Sequence, residues 1–100
     1  MEDFITFINY HIEWSRNTFG KQYSYQKILN HIQKELAEIS ENPTDLEEWI
    51  DVMFLALDGA WRSGHMADEI FSSMKKKQAK NIDREWNIGK GDNPNEHKRM

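Results

Sequence analysis

Residues 46–62 restrict the fold more than any other stretch of the chain. At 100° per residue, Glu47, Glu48, Asp51, Leu55, Asp58 and Arg62 fall within an arc of about 100°. Almost everything else on the segment is apolar: Leu46, Trp49, Ile50, Val52, Met53, Phe54, Ala56, Leu57, Ala60 and Trp61. A surface helix normally shows the reverse, an apolar stripe of roughly 100° beside a broad polar face. A helix with these proportions must be surrounded on most sides. A chain of 100 residues has few helices with which to do that, so association with further copies is expected to complete the cover.

The remaining segments supply the other helices. Phe4, Ile5, Phe7, Ile8, Ile12 and Trp14 keep a helical period, which predicts a first helix over about residues 2–15. Ser15 to Tyr25 mixes Asn17, Thr18, Gly20 and Ser24 with aromatics and reads as a loop. A second helix is expected from Tyr25 to about Ser40, with Tyr25, Ile28, Leu29, Ile32, Leu36 and Ile39 on one side and Asn42-Pro43 as its stop. Thr44 is the expected N-cap of the third helix, which ends near Ser63-Gly64. A fourth helix begins at Ala67 or Asp68, carries Ile70, Phe71 and Met74, and continues through the lysines to about Trp86. No strand alternation and no internal repeat is present. The expected architecture is an all-α, four-helix-type bundle over residues 1–86. Residues 87–100, with two glycines, Pro94 and alternating charges, form a polar tail expected to be flexible.

Charge and composition exclude several functions. A net charge of −4 argues against a nucleic-acid polymer as partner, because such binding depends on neutralising many phosphates. The basic run Lys75-Lys76-Lys77 with Lys80 spreads around a helix and does not form one groove-facing stripe. No apolar run approaches the roughly 20 residues that span a bilayer, so no membrane partner is expected. The first residues do not read as a secretory signal, and the chain has no cysteine; both fit the cytoplasm.

The chemistry is concentrated in two acid pairs, Glu35-x-x-Glu38 and Glu48-x-x-Asp51, on consecutive helices. A three-residue step puts both members of a pair on one helix face, and a short turn would bring the two pairs together. Four carboxylates converging beside apolar residues repel one another unless a cation sits between them. Hard divalent ions with oxygen ligands, Mg²⁺ or Mn²⁺, suit such a set. The alternative is two charged stripes that simply meet water. His31, one turn before Glu35, either contacts substrate or bonds the neighbouring carboxylate. Asp58 and Arg62 have the spacing of an ordinary helical ion pair, the favoured reading; Asp58 could also extend the acidic site by two turns. Lys77, Asn81 and Arg84 follow at i, i+4, i+7 and suit a polyphosphate as well as they suit cations matching a helix C-terminus. Trp14 and Phe19 could stack on a base or belong to the core.

Lys34-Glu35-Leu36-Ala37-Glu38 followed by Glu48-Trp49-Ile50-Asp51 resembles the MazG-like all-α nucleoside triphosphate pyrophosphohydrolases, with Lys34 where an additional acid is usual. Trp14-Ser15 with Thr18-Phe19-Gly20, Leu57-Asp58-Gly59-Ala60-Trp61-Arg62 and Lys77-x-x-x-Asn81-x-x-Arg84-x-Trp86 extend the likeness to the dATP/dGTP diphosphohydrolase branch of phages and bacteria. The resemblance implies attack of water on the α-phosphorus of a nucleoside triphosphate, giving the monophosphate and pyrophosphate. It implies roughly two or three Mg²⁺ ions on Glu35, Glu38, Glu48 and Asp51 as both metal-binding and catalytic residues. It further implies Lys77, Asn81 and Arg84 on the phosphates, Trp14, Phe19 and His31 in the pocket, and a homodimer or homotetramer. Some phage members supply dGMP for nucleotide metabolism. The rival readings are a housecleaning pyrophosphatase for modified or pyrimidine nucleotides and a non-catalytic helical nucleotide-binding module. A di-iron carboxylate bundle is disfavoured because the Glu-x-x-His pairs are lacking.

Overall fold

A computed structural model of the protein describes residues 3–84. It consists of four helices, α1 (Phe4–Phe19), α2 (Tyr25–Glu41), α3 (Leu46–Arg62) and α4 (Ala67–Asp83), with no strand among the described residues. The all-α expectation holds. Three helices start where a side chain satisfies an otherwise free amide: Asp3 accepts from Thr6 N–H at 2.7 Å, Ser24 from Gln26 N–H and Asp45 from Glu47 N–H, both at 3.1 Å. At α4 the Glu69 carboxylate reaches back to the Met66 N–H at 3.4 Å. No helix among the described residues is long and apolar enough to cross a membrane.

Two boundaries differ from the sequence reading. The segment read as a loop from Ser15 is helical through Phe19. Asn17 and Thr18 are only weak helix formers, and the true stop is Gly20, whose φ of 85° is open to glycine at little cost. Its N–H donates to Arg16 O at 2.9 Å and closes the last turn. The N-cap of α3 is Asp45, not Thr44, because the Asp45 carboxylate reaches the first-turn amide. Trp86 and the tail 87–100 lie outside the described residues.

α2 and α3 form a hairpin around residues 42–45, and α4 runs back along α1. The core joins the two pairs: Ile8 and Ile12 of α1, Trp61 of α3 and Ala67 of α4 are buried together, with Ile5, Leu57 and Ile70 packed against them. Ile8 is fully enclosed. Ile8→Ala should therefore cost about 2–5 kcal/mol, read as a lower denaturant midpoint at unchanged m-value.

α3 touches all three other helices, yet one chain does not cover it. Leu46 is 69% and Met53 59% exposed, and Trp49 is also exposed. Of the apolar side predicted for α2, Ile28 and Ile39 are buried, while Tyr25, Leu29 and Leu36 stay open. Phe4, Phe7, Ile50, Met53, Leu57 and Met74 line an open apolar groove between α1, α3 and α4.

Candidate active site

The hairpin turns the Glu35/Glu38 face of α2 toward the start of α3. There Glu35, Glu38 and Glu48 each offer an oxygen, and these oxygens all lie within 4.8 Å of one another. Glu35 is buried and the other two are half-buried. Glu35 Oε2 and Glu48 Oε2 are shut off from solvent with no hydrogen-bond partner. A hydrogen bond shared with Glu38 pushes the Glu35 carboxyl up, helped by burial and by the charges of Glu38 and Asp51; His31 opposes this. Burial is the main cause that raises Glu48, followed by the charges of Glu38, Asp45 and Glu35. Asp51 stands close enough to Glu35 to act on its proton, but is outside the tight triplet. His31 bonds its neighbour, with Nε2 at 3.2 Å from Glu35 Oε1.

Buried carboxylate oxygens without donors, on acids that hold one another toward the protonated form, are the donor set a hard divalent cation needs. The site therefore fits a metal of that kind.

A pH dependence follows. A carboxyl whose pKa is raised on folding stabilises the protein below the ordinary carboxylate value and loses that contribution as pH rises through the raised value. Glu35 and Glu48 behave so. Asp3, held low by the Thr6 amide, and Glu69, held low by His65, act in the opposite sense: their contribution is present above the ordinary value and lost on further acidification. In EDTA the melting temperature should thus fall as pH rises above the ordinary carboxylate range. Glu35→Gln should flatten that decline, as read by circular dichroism.

From Glu35 and Asp51 a cavity of about 420 Å³ opens between α1 and α3. Trp14 and Phe19 line it, each about half exposed, and meet edge to face with centroids 5.7 Å apart. His31 lines it too. Tyr10, His11 and Phe54, which sequence reasoning passed over, complete its aromatic wall. The His11 ring lies parallel to Phe54 at 4.8 Å. Phe7, His11 and Trp14 follow at i, i+4, i+7, so a single face of α1 already held this signal.

Asp58 and Arg62 do not form the ion pair their spacing suggested; each finds a better partner on another element or turn. Asp58 Oδ1 is 2.8 Å from His11 Nε2 and accepts from Trp61 Nε1 at 3.1 Å. Arg62 donates to Gly20 O at 2.8 Å, Lys21 O at 3.3 Å and Ser15 O at 3.4 Å, and lies over the Trp61 ring at 4.2 Å. Its planar fork ties the carbonyls of the turn after α1 to Ser15 within it and so secures the segment bearing Phe19.

Lys77, Asn81 and Arg84 do not line this cavity. Phe71 meets Phe4 at the start of α1, with centroids 5.2 Å apart. Lys77 and Asn81 on the following turns of α4, and its C-cap Arg84, therefore lie past the start of α1. Lys77 is exposed, Asn81 and Arg84 half-buried, and Arg84 Nη1 is enclosed without a hydrogen-bond partner.

The family model described as dATP/dGTP pyrophosphohydrolase matches residues 7–100. The chain belongs to that family. No curated protein and no solved structure is significantly similar to it. Membership in the dATP/dGTP pyrophosphohydrolases makes it a nucleotide pyrophosphohydrolase, and the acid cluster at the mouth of an aromatic cavity suits the divalent metal use that such a family suggests.

Proposed function

We propose that this pyrophosphohydrolase cleaves purine deoxynucleoside triphosphates between the α- and β-phosphorus, with the base in the aromatic cavity and the phosphates at the acids. The observation that carries this is one continuous site: two buried carboxylate oxygens without donors adjoin a cavity large enough for a nucleotide. Glu35, Glu38, Glu48 and Asp51 hold Mg²⁺, for which Mn²⁺ can substitute. When bound, the ions neutralise phosphate charge and make a water nucleophilic near neutral pH. Glu38 lies in the tight triplet with Glu35 and Glu48, and it orients the attacking water and takes its proton. Trp14, Phe19 and Phe54 exclude water around the base, and His31 fixes the Glu35 carboxylate.

Lys77 and Arg84 hold the outgoing pyrophosphate, and Asn81 the phosphate or sugar. Because none of them lines the cavity of its own chain, self-association must deliver them. The exposed apolar residues of α3 and the groove beside them support a homodimer or homotetramer. The setting is the cytoplasm of a bacterium or of a phage-infected host, where the product dGMP would enter nucleotide metabolism.

Chromatography of a panel of NTPs and dNTPs, incubated with Mg²⁺ or with EDTA, tests the reading. Metal-dependent conversion of dGTP or dATP to monophosphate and pyrophosphate is expected. Preference for a pyrimidine or modified nucleotide would move the assignment to housecleaning. Absence of turnover by folded, metal-supplied protein would leave a binding module.

A further inference from the structure

We infer that Asp58 reads the base and selects guanine over adenine, an inference that rests on placing the base in the aromatic cavity. Asp58 lies in the wall of that cavity, on the same stripe of α3 as Glu48 and Asp51. Seven residues separate it from Asp51, about 10 Å along the helix axis. That is comparable to the reach from the α-phosphate of a nucleotide to the far edge of its purine. A base between Trp14, Phe19 and Phe54, with its phosphates at the acids, would thus bring its Watson–Crick edge to Asp58.

The bonding of Asp58 leaves one side of it for a ligand. Both of its hydrogen bonds, from His11 Nε2 and Trp61 Nε1, end on Oδ1. A carboxylate can only accept, so His11 carries its proton on Nε2. Two donors from two helices lock the carboxylate in place, while Oδ2 has no partner among the described residues. Guanine presents two donors on its Watson–Crick edge, N1–H and the 2-amino group. Adenine presents one donor, the 6-amino group, beside the N1 lone pair, which a carboxylate oxygen repels. Hypoxanthine keeps N1–H and lacks the 2-amino group. A fixed acceptor in a partly dry wall therefore ranks the bases guanine, hypoxanthine, adenine. Sites built around a particular hydrogen bond discriminate far more strongly than apolar pockets do.

The test is kcat/KM for dGTP, dITP and dATP with wild type and with Asp58→Asn, in Mg²⁺. Asparagine keeps an oxygen for His11 and Trp61 and replaces the acceptor facing the base by an N–H donor. Wild type is expected to prefer dGTP over dITP and dITP over dATP. In Asp58→Asn the dGTP-to-dATP ratio should fall by about ten- to a hundredfold. A purely structural Asp58 would change all three substrates alike, so a uniform loss, like an unchanged ratio, overturns the inference. Should the variant fail to fold, the wild-type ranking decides, and equal rates on dGTP, dITP and dATP overturn it. Wild type that hydrolyses none of the three refutes the proposed function itself, whereas turnover with an insensitive ratio refutes only the role of Asp58.

Discussion

Glu38→Gln should lose about 10²–10⁴-fold in turnover of dGTP and dATP, while its metal-free form melts at a higher temperature than wild type. The two effects share one cause. Glu38 sits against Glu35 and Glu48, and its charge helps to raise both of their carboxyls. An amide keeps the shape, removes that charge and can donate to the oxygens beside it, so repulsion in the empty site falls. The same change removes a ligand for a hard cation and the base for the attacking water. Wild type should gain thermal stability on addition of Mg²⁺, because binding to the folded state alone shifts unfolding by mass action. Glu38→Gln should gain much less. Side-by-side product analysis and thermal melts with Mg²⁺ and with EDTA check both halves. A variant that keeps full activity, or melts lower without metal, would contradict the role given to this acid.

Mixing two inactive proteins should restore activity if the site is shared between chains. Glu38→Gln damages the acid cluster, and Lys77→Ala combined with Arg84→Ala removes the cations of α4. Each is expected to be nearly inactive alone. In a dimer whose sites each combine acids from one copy with α4 of the other, a mixed pair contains one intact site. Random exchange would then recover about a quarter of wild-type activity. The motive is geometric: Lys77 and the C-cap Arg84 of α4 lie past the start of α1, away from the cavity of their own chain, while α3 leaves Leu46, Trp49 and Met53 exposed. No recovery after demonstrated subunit exchange would place those cations elsewhere than in a shared site.

Much of this was legible along the chain. The i, i+3 spacing of Glu35/Glu38 and the short stop at Asn42-Pro43 already implied a hairpin that gathers acids, since helix periodicity is a local property. The aromatic wall was less legible. Trp14 and Phe19 attracted notice beside glycine, but reading Ser15 onward as a loop hid the face that Phe7, His11 and Trp14 share on α1. The partner of Asp58 is hidden for a related reason. Spacing offers Arg62 as its nearest partner, and nothing local announces His11, which lies 47 residues away.

The sequence by itself determined the number and order of the helices, the break at Asn42-Pro43 and the pairing of acids on facing stripes, because these follow from propensity and a 3.6-residue period; it missed the α3 cap and the last turn of α1. Only the tertiary structure decided which polar groups meet. It drew Glu35, Glu38 and Glu48 into one cluster with Asp51 beside it, gave Asp58 to His11 and Trp61, and set Arg62 on the carbonyls of the turn that follows α1. It also left the α4 cations outside the cavity of their own chain. A buried charge takes whichever donor or acceptor packing brings within about 3 Å, and packing is set by elements far apart in the chain.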